Sequence, residues 1–320
     1  MKLATPSPMT KDKTTSKEKV AWILFYSLCS STMLVINKLA VQANGLPSMV
    51  SGAQLTVAAI VPVLLEFSGM GVMGPFERAR ILPFLVYTTM FATSLYSNMK
   101  ALMLTNVGAV IAARCCLPLV VCTIEYVFMG RSFPSRRSFA SLMGVVCAAT
   151  VYVMADSGIK VSGLAGIFWL GSWWFLVALQ MTYGKFLTDK IVMTQWERVF
   201  YNNTLAIPPT VVLYYLTGEN RKQVSTQDRA LSYLILSCII GVGISYSGWK
   251  CRSVITATTF TLVGVLNKIM SITFTVLLWP ENTSITMTLA LVTCVAFGLL
   301  YEEAPMRVIN PGATHAGQAS

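Results

Sequence analysis

The chain has few charged residues for its length. Only 12% of its 320 residues are Asp, Glu, Lys or Arg, whereas 55% are hydrophobic. Soluble domains carry about twice that charged fraction, so the composition excludes an ordinary soluble domain and indicates a protein that crosses a membrane several times. We predict no cleavable signal peptide, because residues 1–19 are polar and the apolar run that follows has full membrane-span length.

Histidine and acidic residues are also scarce in the apolar segments. The one histidine, His315, lies near the C-terminus, and none of the four aspartates lies in the middle of an apolar run. Ion-coupled transporters usually place a carboxylate or histidine at mid-membrane depth, and a metal-dependent transferase needs acidic ligands. We therefore expect neither ion coupling nor catalysis, and no metal or other cofactor. The eight cysteines form no CxxC pair, so neither a zinc site nor a disulfide framework is indicated.

Ten apolar runs are long enough to cross a bilayer as helices, which takes about 20 residues. They are residues 20–41, 48–67, 81–102, 107–128, 138–155, 164–187, 199–216, 231–249, 256–279 and 285–301. An even number of spans places both termini on one side, and most of the chain's 24 Lys and Arg residues fall in loops and tails on that side. The positive-inside rule predicts that both termini are cytosolic. This distribution also explains the net charge of +11 by membrane topology, without a nucleic acid partner.

The two halves of the chain resemble each other. Tyr96-Ser97-x-x-Lys100 in the first half corresponds to Tyr246-Ser247-x-x-Lys250 in the second. We predict an all-α membrane protein of about ten transmembrane helices, arranged as two inverted five-helix repeats at 20–155 and 163–301. Cytosolic tails are expected at 1–19, which we predict to be disordered, and at 302–320. Transporters built in this way bind substrate near the midplane, between the repeats.

Lys268 lies in the middle of the ninth apolar run. About twelve residues flank it on either side, so its ammonium is roughly 18 Å from each end of the helix, farther than a lysine side chain reaches. Burying it there costs about 2.5–3.5 kcal/mol on insertion scales. We expect Lys268 to face a watery cavity and meet an anion. The alternative is a lysine paired with a carboxylate inside the bundle, but mid-membrane carboxylates are missing.

Asn202 and Asn203 place two adjacent amides inside the seventh run, in the string Phe200-Tyr201-Asn202-Asn203. Buried amides in a membrane must be hydrogen-bonded. An amide offers a donor and an acceptor, which suits guanine, whose edge presents donors at N1 and N2 beside an acceptor at O6. The alternative is that the asparagines join helices to one another, and taken by themselves the two residues favour it.

Two motifs together resemble those of a known family. FYNN at 200–203 and GVLNK at 264–268 are similar to the motifs of nucleotide-sugar transporters in the drug/metabolite transporter superfamily, and most of all to fungal GDP-mannose transporters and plant GDP-mannose and GDP-fucose transporters. The resemblance covers essentially the whole chain. It implies a Golgi antiporter, embedded in the lipid bilayer, that imports a GDP-sugar in exchange for GMP. GDP-mannose is the first expectation and GDP-fucose a close second, and a homodimer is a further expectation.

The resemblance also implies the residues that bind the substrate. They are Tyr26, Arg114, Tyr201, Asn202, Asn203, Ser245, Phe260, Gly264, Asn267 and Lys268. In the family the two asparagines hold guanine, and the GVLNK segment faces the sugar and phosphates. Phe260 and Val110 stand where the fungal proteins have tyrosine, so we expect a less polar sugar pocket that accepts the methyl group of fucose.

Two other readings are open on the sequence. A triose-phosphate translocator of plastids shares the fold and also uses buried Lys and Arg, but it would lack FYNN and carry a longer, Arg-rich transit peptide. An integral-membrane transferase would need a catalytic carboxylate or histidine near the membrane, and the sequence offers no convincing one.

The predicted topology can be tested at Asn282, the acceptor of the sequon Asn282-Thr283-Ser284 between the last two spans. This loop is lumenal but lies within a few residues of the membrane, so the glycosylating enzyme should not reach it. We expect the protein to migrate unglycosylated on a gel. A mobility shift on glycosidase treatment that disappears in Asn282→Gln would contradict the expectation.

Overall fold

A computed structural model describes residues 15–44, 46–74, 77–105, 107–156, 163–216, 218–221, 228–278 and 284–307. Within these ranges the chain forms ten α-helices and one 3-10 helix, with no strand. The α-helices are α1 (Ser16–Asn44), α2 (Pro47–Phe67), α3 (Arg78–Leu104), α4 (Val107–Phe128), α5 (Arg136–Asp156), α6 (Gly163–Lys190), α7 (Gln195–Leu216), α8 (Asp228–Val254), α9 (Ala257–Leu278) and α10 (Ile285–Leu299). Each predicted span coincides with one helix, and the all-α prediction is confirmed for this part of the chain. Asn282 and the side chains of Lys38 and Tyr96 lie outside it.

Five of the described helices are long and apolar enough to span a bilayer. By length and composition they are residues 16–37 of α1, α2, residues 136–155 of α5, α6 and residues 229–254 of α8, while α10 is a shorter apolar helix. Large apolar side chains such as Leu28, Leu64 and Ile239 point outward and are more than half exposed. Such a surface suits lipid hydrocarbon and not water. The chain is a multi-pass membrane protein.

Helix α1 begins earlier than predicted. Residues 16–19, expected to belong to a disordered tail, are helical. The backbone N–H of Glu18 donates to the hydroxyl of Thr15 at 3.3 Å, and the Thr-x-x-Glu spacing is the capping-box signature of a helix start. Lys19 also pairs with Glu303 at 3.7 Å. This cap and ion pair favour helix where composition alone predicted disorder.

The bundle is built from helices that are distant in sequence. α1 packs along α8, α3 along α6, α2 along α7, and α5 along α10. The largest apolar cluster joins α4, α5, α9 and α10, with Leu142, Val145 and Leu291 at its centre. Helices α5 and α10 approach closely because Gly144 has no side chain: a Cβ there would lie 2.5 Å from the ring of Phe297. Small residues commonly permit such close contacts between membrane helices.

Two buried carboxylates hold together the end of the bundle at which α1 begins, which we call the N-terminal face. Glu197, at the start of α7, accepts hydrogen bonds from Arg80 of α3 at 2.6 Å and from the backbone N–H of Gly74 at 3.2 Å. Glu125, at the end of α4, accepts from the backbone N–H groups of Ala257 and Thr258 at 2.9 and 3.0 Å. It therefore caps α9, where the helix dipole favours negative charge.

A third buried carboxylate caps a helix at the opposite face of the bundle. Glu219 follows α7 in the 3-10 helix Glu219–Arg221, and its side chain is buried. It accepts hydrogen bonds from the backbone N–H groups of Ser48 and Met49 at 3.0–3.2 Å, in the first turn of α2. The end of α4 thus caps the start of α9, and the segment after α7 caps the start of α2. Each cap joins one half of the chain to the other.

Arg252 lies inside α8, although the predicted span ended at residue 249, and Lys185 lies in the last two turns of α6. Both are buried, with exposed fractions of 4% and 8%. The Lys185 ammonium contacts Asp189 at 3.1 Å and donates to the backbone carbonyl of Arg252 at 2.9 Å. The predicted spans stopped too early because α6 and α8 continue for about one more turn beyond their apolar runs.

Replacing Glu125 should destabilise the protein strongly. Glu125→Ala removes the cap of α9 and leaves Arg131, 3.4 Å away, without its partner. Breaking a buried ionic network of this kind costs about 3–5 kcal/mol. The measurement is thermal unfolding of the purified protein in detergent. Glu302→Ala is the matched control, since its pair with Arg137 is exposed and should contribute about 0–1 kcal/mol; equal shifts for both variants would contradict the assignment.

Candidate functional site

A cavity of about 350 Å³ lies inside the bundle, between α2, α3, α4, α6, α7 and α8. We call it the first cavity. Its volume falls within the range of small-molecule sites, about 300–1,000 Å³. Its cationic and amide side chains are Asn98, Arg114, Gln180, Asn202, Asn203 and Arg252. The aromatic residues of its wall are Tyr87, Phe91 and Trp173.

A second cavity of about 280 Å³ adjoins the first. Phe91, Asn203 and Ser245 line both cavities, and the Ser245 hydroxyl donates to Oδ1 of Asn203 at 3.4 Å. The second cavity reaches Pro47 and Ser48, at the start of α2 on the opposite face. Together the two cavities run from the middle of the bundle toward that face.

The two adjacent asparagines have different environments. Asn203 is 2% exposed, and its Nδ2 donates to the backbone carbonyl of Val199 at 2.7 Å while its Oδ1 faces Ser245. Asn203 thus joins α7 to α8, as the alternative reading of the sequence proposed. Asn202 is half-buried and lines the first cavity. Successive residues on a helix point about 100° apart, so the two amides cannot face the same direction.

Tyr201 lies away from both cavities. Its hydroxyl accepts a hydrogen bond from the backbone N–H of Glu77 at 3.1 Å, and its ring packs on Phe84 with centroids 5.7 Å apart. The side chain is 4% exposed. The structure therefore brings Tyr201 to the loop before α3, at the N-terminal face.

Arg114 and Lys268 are two cations inside the bundle. Arg114 lines the first cavity, and its guanidinium lies 5.5 Å from the centroid of the Trp173 ring. Lys268 is half-buried on α9, outside the linings of the two cavities. Among the described residues, no ion pair joins either cation to a carboxylate.

The remaining predicted residues lie outside the linings of these two cavities. The ring of Phe260 on α9 packs on that of Tyr26 on α1, with centroids 5.0 Å apart, and Phe260 is 4% exposed. Gly264 follows one turn later and Asn267 is buried. A Cβ placed on Gly264 would meet no atom within 4 Å, so open space borders this turn of α9.

Arg252 is a cavity residue that the sequence prediction did not include. Its Nη1 donates to the Tyr87 hydroxyl at 2.8 Å, and its guanidinium lies 4.4 Å from the centroid of the Phe260 ring and 5.4 Å from that of Trp249. No carboxylate in the described part of the chain pairs with it. Arg252 follows Ser245 by seven residues, which places the two side chains on one face of α8. This spacing could have identified Arg252 as a site residue from the sequence alone.

Known proteins of similar sequence support the family that the motifs resemble. No family model matches the chain. It is 30% identical to GDP-fucose transporter 1 of Arabidopsis thaliana over 291 residues, which cover 88% of this chain and 84% of that protein. The chain belongs to the nucleotide-sugar transporter family. This confirms the resemblance drawn from its motifs.

Further relatives of this nucleotide-sugar transporter include GDP-mannose transporter GONST3 of Arabidopsis thaliana, 25% identical over 90% of this chain and 78% of that protein. The GDP-mannose transporter of Botryotinia fuckeliana is 24% identical over 77% of this chain and 69% of its own. A crystal structure of a protein 13% identical aligns with a TM-score of 0.65, over 89% of this chain and 96% of the other. That last similarity concerns the fold.

Gly264→Ala tests whether open space borders α9. We expect the substitution to leave the unfolding temperature unchanged or slightly higher, because alanine stabilises a helix by about 0.5–1 kcal/mol relative to glycine. Gly144→Ala is the matched control, since its Cβ would clash with the Phe297 ring and should lower that temperature. Thermal unfolding in detergent measures both. Similar losses for the two variants would show that Gly264 is packed.

Proposed function

We propose that the protein is a Golgi antiporter that imports a GDP-sugar and returns GMP. The observation that carries the proposal is a mid-bundle cavity lined by Arg114 and Arg252, neither of which pairs with a carboxylate in the described part of the chain. The relatives are named as transporters of GDP-fucose and GDP-mannose. These names also support a carrier and not an enzyme.

An anionic substrate accounts for the cations. A charged side chain inside a membrane protein is costly unless it meets a counter-charge, and arginine forms short, charge-assisted hydrogen bonds with phosphate oxygens. Arg114 and Arg252 are on the cavity wall, and Lys268 lies in the middle of α9. We propose that all three bind the phosphates of the nucleotide. Both GDP-sugars and GMP carry phosphate, so one set of cations would serve import and return.

The nucleobase would be read by α7 and α8. We propose that Asn202, whose amide lines the cavity, hydrogen-bonds guanine, with Ser245 beside it. Asn203 would contribute by holding Ser245 and the backbone of α7 in place. Tyr201 would act from the N-terminal face, by fixing the start of α7 against the loop before α3.

Helix α9 would form the other wall of the site. We propose that Gly264 lets the ligand approach the backbone closely and that Asn267 and Lys268 face its sugar and phosphates. The rings of Phe260 and Tyr26 would form the end of this wall that is nearest the N-terminal face. Because the Phe260 ring lies under the Arg252 guanidinium, its effect on sugar choice would pass through Arg252. A preference for GDP-mannose over GDP-fucose stays a prediction from the motifs. The 30% identical relative is named as a GDP-fucose transporter, so we propose the two GDP-sugars as equal candidates.

We further propose that residues 20–155 and 163–301 are inverted repeats that rock about the site. Shifting helix numbers by five exchanges the pair α1–α8 with the pair α6–α3, and both pairs are closely packed. The same shift maps the pair α4–α9, joined by the Glu125 cap, and the pair α7–α2, joined by the Glu219 cap, each onto itself. Alternating access by such repeats is a common transporter mechanism. Under the positive-inside rule the N-terminal face and both termini would be cytosolic.

The proposal predicts exchange transport. Proteoliposomes loaded with GMP should take up GDP-fucose or GDP-mannose, and empty ones should take up much less. Asn202→Ala should weaken GMP binding by about 5- to 150-fold, since an unpaired polar group costs about 1–3 kcal/mol. Binding is measured by the rise of unfolding temperature with GMP concentration.

The matched control is Thr204→Ala, two residues along α7 on its exposed side. It should leave GMP affinity and uptake unchanged. Uptake that collapses with a protonophore while internal GMP is unchanged would contradict exchange. Equal loss of GMP affinity in the Asn202 and Thr204 variants would contradict the role of Asn202.

A further inference from the structure

Asn98 carries a buried acceptor that the protein leaves unused. It lies on α3 and lines the first cavity, and its Oδ1 is inaccessible yet receives no hydrogen bond from the residues that the structure describes. More than nine in ten buried polar groups have a partner. An orphaned acceptor on the wall of a binding cavity is therefore a group whose partner is expected to come from the ligand.

The surroundings of Asn98 are those of a binding wall. Gln180 of α6 is 5% exposed, lines the same cavity and makes no hydrogen bond within the described part of the chain. Ser94, one turn from Asn98, already donates to the carbonyl of Phe91 at 2.8 Å and so cannot donate to Asn98. The Trp173 ring adds an apolar surface beneath Arg114.

The chemistry of an amide oxygen narrows the ligand group. Oδ1 accepts hydrogen bonds and cannot donate them, so an ionised phosphate oxygen cannot be its partner. A hydroxyl can. Of the parts of a GDP-sugar, guanine, the ribose and the hexose all offer donors, and their depth in the bundle distinguishes them.

Position along the bundle also favours the sugar. α3 and α7 both begin at the N-terminal face; Asn98 lies twenty residues into α3 and Asn202 seven residues into α7. At 1.5 Å per residue they differ in depth by roughly 12–20 Å, the smaller value counted from the ends and the larger from the starts of the two helices. That is the scale of an extended nucleotide sugar, whose base and hexose lie at opposite ends. Arg114, seven residues into the oppositely directed α4, lies at a depth similar to that of Asn98.

We propose that Asn98 is a sugar-reading residue whose Oδ1 accepts a hydrogen bond from a hydroxyl of the hexose. The proposal rests on the proposed function and deepens it. None of the motifs that identify the family includes this position. It gives the site a specificity determinant on α3, across the cavity from α8.

Asn98→Leu tests the proposal, because leucine has a similar volume and no acceptor. GDP-fucose and GDP-mannose affinities should fall about tenfold, whereas GMP affinity should stay the same because GMP has no hexose. Isothermal titration of the detergent-purified protein measures all three ligands. The unfolding temperature without ligand should not fall, since an unpaired polar group has been removed.

Gln54→Leu is the matched control for loss of a buried amide. Its Nε2 donates to Oδ1 of Asn37 at 2.8 Å, so this variant should lower the unfolding temperature. If Asn98→Leu lowers that temperature equally, Asn98 is structural and the proposal is wrong. If it weakens GMP as much as the GDP-sugars, Asn98 does not read the hexose. A wild type that binds neither GMP nor a GDP-sugar would instead overturn the proposed function.

Discussion

Arginine on a cavity wall, without a carboxylate partner in the described part of the chain, is the constraint on which this structure depends. The acidic residues that the bundle buries, among them Glu125, Glu197 and Glu219, lie at its two faces and cap helices or hold loops. Arg114 and Arg252 lie on the wall of a cavity. The buried carboxylates thus serve helix ends and loops, and neither cavity arginine pairs with one of them. A cavity of this kind favours an anion, and its own side chains cannot neutralise it.

Arg252 shows how the chain keeps such a charge in place. Its guanidinium donates to Tyr87 and lies against the faces of Phe260 and Trp249. Aromatic faces attract cations, more strongly when water is excluded. They do not cancel the charge as a carboxylate would. The arginine is therefore held firmly and still retains its attraction for a ligand.

The sequence predicted the helices and the class of substrate site better than the geometry of that site. Apolar runs and motifs depend on local composition, and all ten runs coincide with helices. The roles of Asn202 and Asn203 could not be separated, because which of the two amides is buried and hydrogen-bonded to its neighbours depends on how α7 is rotated against α8. Asn98 belongs to no motif, and its unpaired oxygen appears only when the neighbouring helices are in place. Arg252 was assigned to a loop because its helix outlasts its apolar run.

The contact between Gly144 and the Phe297 ring has a mechanical consequence. With a Cβ excluded at that point, ring and backbone interlock, and sliding α5 along α10 would force the ring against the next, bulkier residues. This contact would hold α5 and α10 as a rigid pair that joins the two halves of the chain. In the proposed rocking motion, rotation of one half against the other would be taken up by the remaining helix pairs, where the cavities lie.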